Sequence, residues 1–167
     1  MIIVCGLNAV QTQIDRHGAR SVVSLLSPDT THREFEGIAA ERHLRLSFHD
    51  IVDEVADLAA PKESDAEKLI AFIAAWDRAH PLLIHCWAGI SRSTASAYTA
   101  LCMLRPEADE MDLALELRTA SPSATPNRLI ISYTDKLLGR NGRMVRAIEH
   151  IGRGENAFEG TPFILRP

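Results

Sequence analysis

The chain has 167 residues, 46% of them hydrophobic and 24% charged, with a formal net charge of −4. That is enough material for one buried core, and the acidic balance argues against a general nucleic-acid binder. No apolar run approaches the roughly 18 residues of a membrane span, and Met1-Ile2-Ile3-Val4 has no basic stretch before it, so a cytoplasmic location is expected.

Ile2 to Leu7 and Ser21 to Ser27 read as strands, joined by a short helix from Thr12 to His17. Both strands are apolar on both faces, the pattern of parallel strands covered by helices on each side. Pro28-Asp29 breaks the second strand, and Thr31-His32-Arg33-Glu34 matches a capping box that predicts a helix through Ala40. Leu44 to Phe48 alternates apolar and polar residues as a third strand. His49-Asp50 follows at its end, then Ile51-Val52-Asp53-Glu54 and a loop to Pro61. Ser64-Asp65-Ala66-Glu67 is a second capping box, opening a helix that gathers Leu69, Phe72, Ile73 and Trp76 on one face and ends near His80-Pro81.

Leu82 to Cys86 is a buried strand that runs through Trp87-Ala88-Gly89-Ile90-Ser91 into a helix from Ser91 to Met103. A helix start presents unpaired N–H groups and the positive end of the macrodipole, so the amides from Trp87 to Arg92 can curl around an anion such as phosphate. Gly89 suits the tight curve, and Arg92 adds a permanently charged, bidentate clamp. In that field Cys86 is expected to act as a thiolate nucleophile, with Ser93 donating a hydrogen bond to its sulfur and His85 fixing the loop from behind. Three cysteines, Cys5, Cys86 and Cys102, cannot all pair and lack the close spacing of a zinc site, so reduced thiols and no metal are expected. Cys5 has Gln11, not arginine, six positions on, and reads as core.

Arg105-Pro106 ends the helix, and Asp109 to Thr119 predicts another with Met111, Leu113, Leu115 and Leu117 as its apolar set. The loop from Arg118 to Asn127 places Thr125 as N-cap and Pro126 at the first position of a helix from Leu129 to Leu138. A last helix spans Met144 to Ile151, and a tail from about Glu155 to Pro167 carries the apolar patch Phe163-Ile164-Leu165. Residues 118 to 167 hold 8 Lys/Arg against 4 Asp/Glu, a basic face open to an acidic partner or simply solvated. The alternation of elements predicts a single-domain α/β fold, a central and mainly parallel sheet flanked by helices on both faces.

His85-Cys86-Trp87-Ala88-Gly89-Ile90-Ser91-Arg92-Ser93 resembles the signature His-Cys-x-x-Gly-x-x-Arg-Ser/Thr of the cysteine-based protein tyrosine phosphatases, especially their compact dual-specificity-like branch. The resemblance covers roughly residues 20 to 138. It implies phosphomonoester hydrolysis through a phosphocysteine intermediate, without metal or other cofactor, and an aspartate general acid upstream. Asp50 has the matching place, at a strand end roughly thirty-odd residues before Cys86. Asp53 and Asp57 also fall in the window, and no Trp-Pro-Asp triplet is present. By the same resemblance Arg118 and Asn127 brace the phosphate loop. The implied partner is a phosphorylated protein or another phosphoester; the neutral Trp87, Ala88, Ile90 and Ser91 point to protein or generic phosphoesters, with a phosphoinositide or small-molecule phosphatase of the same chemistry as the alternative. A rhodanese-like sulfurtransferase would need neither the His-Cys pair nor Asp50. A phosphate-reading module without chemistry would need neither Cys86 nor an acid.

Overall fold

The computed structural model describes residues 1–167. Five strands, β1 (Ile2–Gly6), β2 (Ser21–Leu26), β3 (His43–Ser47), β4 (Leu82–Cys86) and β5 (Phe163–Leu165), form one sheet in the order β3-β2-β4-β1-β5. The first four are parallel, and β5 runs antiparallel to β1. Every residue of β1, β2 and β4 is buried, which explains their unbroken apolar runs; β3, at the edge, alternates. The expected α/β architecture, a mainly parallel sheet with helices on both faces, is the observed one.

The two faces are covered unequally. α1 (Val10–His17) packs with Phe35 over Ile3, Cys5, Val22 and Leu83, a core of 8 buried residues. The opposite face carries α2 (Glu63–Ala75), α3 (Arg92–Leu104), α4 (Glu110–Ala120), α5 (Arg128–Leu137) and α6 (Arg143–Ile151) around a core of 29 buried residues. α3 is the middle of that layer and is buried from Arg92 to Cys102. Its small residues allow close approach, and its hydroxyls are satisfied locally: Ser96 donates to Arg92 O and Thr99 to Ala95 O. α6 is held by Asp135 of α5, whose carboxylate accepts from the N–H groups of Gly142 and Met144. Arg140 and Arg143 converge on the buried Glu110, so part of the basic C-terminal charge is neutralised internally. No helix is long and apolar enough to cross a membrane.

Four local expectations are corrected. Residues 31 to 39 form no helix, and only a short 3₁₀ turn, Ala40–Arg42, follows. Tertiary contacts outcompete the capping signal: Glu34 pairs with Arg45, Phe35 turns into the α1 side, and Gly37 adopts φ +79°, outside helical space. α2 starts earlier than its Ser64 box implies, because Asp65 accepts from Lys62 N–H, and it stops at Ala75, where the Trp76 indole donates to His80 O. In α4, Leu113, Ala114 and Leu117 are buried while Leu115 is 46% exposed. The N-cap of α5 is Asn127, not Thr125, since its Oδ1 accepts from the N–H groups of Leu129 and Ile130. The segment from Glu155 supplies β5, beside β1.

Parallel pairing brings the carboxyl ends of β1 to β4 to one edge. Gly6, Ser27, Phe48 and Cys86 therefore meet, although 80 residues separate the first from the last.

Candidate active site

The loop from Cys86 to Arg92 is held by its carbonyls. Trp87 O accepts from Leu7 N–H (3.0 Å), Ala88 O from Gly160 N–H (2.8 Å), Ile90 O from Thr125 N–H (2.9 Å) and Ser91 O from Asn127 N–H (3.3 Å). In a trans peptide the C=O and the next N–H point opposite ways, and the chain has no cis bonds. Each tethered carbonyl thus turns the following N–H inward. Gly89 N–H donates to Cys86 Sγ (3.2 Å), while the N–H groups of Trp87, Ala88, Ile90 and Ser91 have no protein acceptor. The result is a concave set of donors at the start of α3, an anion cradle. Gly89 has φ +73°, and a Cβ there would stand 2.6 Å from the backbone of Cys5 and Gly6. Only glycine fits.

Cys86, 2% exposed, has its sulfur between Gly89 N–H and Ser93 Oγ (3.1 Å). Arg92 is also buried. Its Nη1 donates to Phe48 O (2.8 Å) and Ser27 Oγ (3.3 Å), whereas its Nε has no partner. A buried, unpaired guanidinium N–H beside a cradle of free amides is suited to an anionic ligand.

Asp50 and Cys86 line the same cleft, of about 570 Å³. Asp50 Oδ1 accepts from Ser91 Oγ (2.7 Å) and Asn127 Nδ2 (2.8 Å), so Oδ2 is the oxygen left without a protein partner. His49 closes the base of the acid-rich loop through its N–H to Ala59 O and Ala59 N–H to its Nδ1. Asp53 lines a neighbouring depression with Val52, Val55 and Arg128, not the Cys86 cleft.

Behind the loop, His43, Ser24 and His85 form a buried hydrogen-bonded chain, with Ser24 Oγ 2.7 Å from His43 Nε2 and 2.6 Å from His85 Nε2. His85 Nδ1 is 3.3 Å from Cys86 O, a group that only accepts. Nδ1 therefore carries the proton, Nε2 accepts from the Ser24 hydroxyl, and Ser24 accepts from His43 Nε2–H. This orients the Cys86 peptide. Burial pushes both imidazoles down from 6.5 to about 4. They stay neutral in the fold while the unfolded chain takes up protons, so their contribution is complete above pH 6.5 and is lost as pH falls towards 4. The expected loss is about 3 kcal/mol per imidazole. Urea denaturation at pH 7 and pH 4 measures it, and equal stabilities at the two would contradict the chain.

Cys5 is on the other side of the sheet. It is paired in register with His85, one residue from Cys86, so successive side chains put Cys5 and Cys86 on opposite faces. Burial pushes the Cys5 thiol up to about 12, and all three cysteines are free. No group of three or more His, Cys, Asp or Glu side chains is placed to hold a metal ion.

The same assembly of sheet and helices occurs in DUSP15, at TM-score 0.63 and 18% identity over 89% of this chain and 90% of that one. The Yvh1 phosphatase domain from Chaetomium thermophilum (TM-score 0.62, 19% identity, 86% and 93% covered) and human DUSP28 (0.60, 21%, 90% and 95%) share it. This is the dual-specificity phosphatase fold. No protein-family model matches the sequence, and no curated protein matches it either.

Within this dual-specificity phosphatase fold, Asn127 lies between the two loops. Its backbone N–H meets Ser91 O, its Oδ1 caps α5, and its Nδ2 reaches Asp50 and Ile51 O. Arg118 is further out: it donates to the carbonyls of Ala124, Ile151 and Gly152 and reaches the Cys86–Arg92 loop only through the adjoining Thr125. Sequence reasoning missed Ser27, Asp29 and Thr30, which line the cleft after β2, and Ala157 and Phe158, which line it from the C-terminal segment. In the sequence Pro28-Asp29 reads only as a strand breaker. Phe158 had no local signal.

Proposed function

We propose that this chain is a phosphomonoester hydrolase of the cysteine-dependent tyrosine and dual-specificity type. The observation that carries the reading is one cleft lined by Cys86, Arg92 and Asp50, with a ring of unpaired backbone amides at its base. The amides and Arg92 Nε hold the three non-bridging oxygens of the phosphoryl group, and Cys86 Sγ attacks phosphorus in line with the ester oxygen. As the S–P bond forms and the P–O bond breaks, Asp50 Oδ2 delivers its proton to the leaving oxygen. Asp50, now a carboxylate, then takes a proton from a water that attacks phosphorus, and the S–P electron pair returns to sulfur. The Ser93 hydroxyl, 3.1 Å away, stabilises the departing thiolate. His85 and Asn127 position the loop and the acid.

Arg92 is the one cation lining the cleft, against the carboxylates of Asp29 and Asp50. That balance favours a single dianionic phosphate on a neutral or cationic carrier, such as a phosphorylated protein side chain, over a polyphosphorylated headgroup. Turnover of p-nitrophenyl phosphate by the purified protein, blocked by orthovanadate and unaffected by a chelator, is the expected result. Thiocyanate formation from thiosulfate and cyanide, with no phosphate release, would instead assign sulfur transfer to Cys86.

A further inference from the structure

The segment joining α6 to β5 is tied down on both sides of a short arch. At one end Gly154 N–H donates to Thr125 Oγ1 (3.1 Å) and Glu155 N–H to Pro122 O (2.9 Å). At the other, Gly160 N–H donates to Ala88 O of the phosphate loop, and β5 begins three residues later. Between these anchors lie only Asn156, Ala157, Phe158 and Glu159. Glu159 rests against Gly6 at the end of β1, while Ala157 and Phe158 face the Cys86 cleft.

Phe158 is 92% exposed, more than any other large apolar side chain in the molecule. A single exposed phenylalanine is ordinary on a protein surface. This one is held by a braced arch at the mouth of a cleft, and a second exposed aromatic, Trp87 at 55%, lines the same cleft from the phosphate loop. Trp87 is the residue next to Cys86, so its position is set by whatever sets the cradle. Both side chains therefore stand in the cleft into which the leaving group of an ester bound by the loop amides would extend.

We propose that Phe158 is a specificity residue: with Trp87 it forms an aromatic slot at the cleft mouth that grips the flat leaving group of an aryl phosphate and discriminates against alkyl phosphates. The inference rests on the phosphatase reading above. A phenyl ring offers both slot walls a π face at offset or edge-to-face geometry, which a serine or threonine methylene does not. Loss of one aromatic wall corresponds to about a tenfold change. The C-terminal segment thereby becomes part of the substrate site, since it carries Phe158 and also ties back Ala88 O.

The test compares kcat/KM for one peptide carrying phosphotyrosine or phosphoserine, in the wild type, Phe158→Ala and Phe158→Trp. The phosphotyrosine-to-phosphoserine ratio should fall about tenfold in Phe158→Ala, mainly through KM, and be retained in Phe158→Trp. The inhibition constant for inorganic phosphate should stay within about twofold, because phosphate fills only the cradle. Where phosphoserine turnover is too slow to follow, the ratio of the two peptides' Kd values on the Cys86→Ser protein, with and without Phe158→Ala, gives the same comparison. An unchanged ratio in a protein that hydrolyses phosphopeptides overturns the role of Phe158 and leaves the phosphatase reading standing. A wild type that hydrolyses neither peptide nor p-nitrophenyl phosphate overturns both.

Discussion

Cys86→Ser lowers turnover of p-nitrophenyl phosphate by at least about 10⁴-fold while leaving inorganic phosphate bound. The exchange is nearly isosteric in a position 2% exposed, and the serine oxygen keeps Gly89 N–H and Ser93 Oγ as neighbours, so the fold and cradle persist. What is lost is the soft sulfur nucleophile, because an alcohol flanked by an amide N–H and a second hydroxyl has no base to ionise it. In the proposed mechanism the oxyanion is held by the free amides and Arg92 Nε, which have no protein partner, and not by the sulfur. Calorimetric titration with phosphate beside a turnover assay separates the two functions. Turnover within tenfold of wild type would remove Cys86 from the mechanism.

Asp50→Ala slows hydrolysis by about 10²- to 10⁴-fold, with the larger loss on phenyl phosphate, whose leaving group needs the proton more than p-nitrophenolate does. A general acid must carry its proton before the ester bond breaks, so rate falls as pH rises through its titration. Removing it abolishes that fall and flattens the basic limb. The fold should survive: the Ser91 hydroxyl and Asn127 amide lose one acceptor, but Asn127 Oδ1 still caps α5. Asp53→Ala is the matching control, since Asp53 faces the adjoining depression. A basic limb unchanged in Asp50→Ala and flattened in Asp53→Ala would transfer the role.

Much of this site could be read before folding because its central part is contiguous. From His85 to Ser93 a strand, a turn and a helix start follow one another, and the cradle arises from local backbone geometry. Asp50 was singled out by the resemblance, which looks for an acid at a strand end upstream of Cys86, and Asp53 and Asp57 lie in the same window. Asn127 was recognisable only by resemblance, and its geometry was misread: Thr125-Pro126 has the local appearance of a cap, but Thr125 N–H is used by Ile90 O, and the cap passes to Asn127. The helix expected after Thr31 failed for a related reason. Its capping residues were correct locally, yet Glu34 gains a charged partner in Arg45, and Phe35 gains a buried place beside His43 and His85.

The sequence by itself determined the class of fold and the strand-turn-helix passage that joins Cys86 to Arg92, because hydrophobic periodicity and local backbone geometry act over a few residues. Tertiary structure alone decided that Asp29 and Asp50, and not Asp53, share the cleft with Cys86, which carbonyl ties turn the loop's amides inward, and that Phe158 lines the same cleft. Those depend on strand order, which joins the ends of β1, β2, β3 and β4 and lays the C-terminal segment against the loop. Contacts between residues 35 to 80 positions apart are set by the packing of whole elements, and no local pattern encodes them.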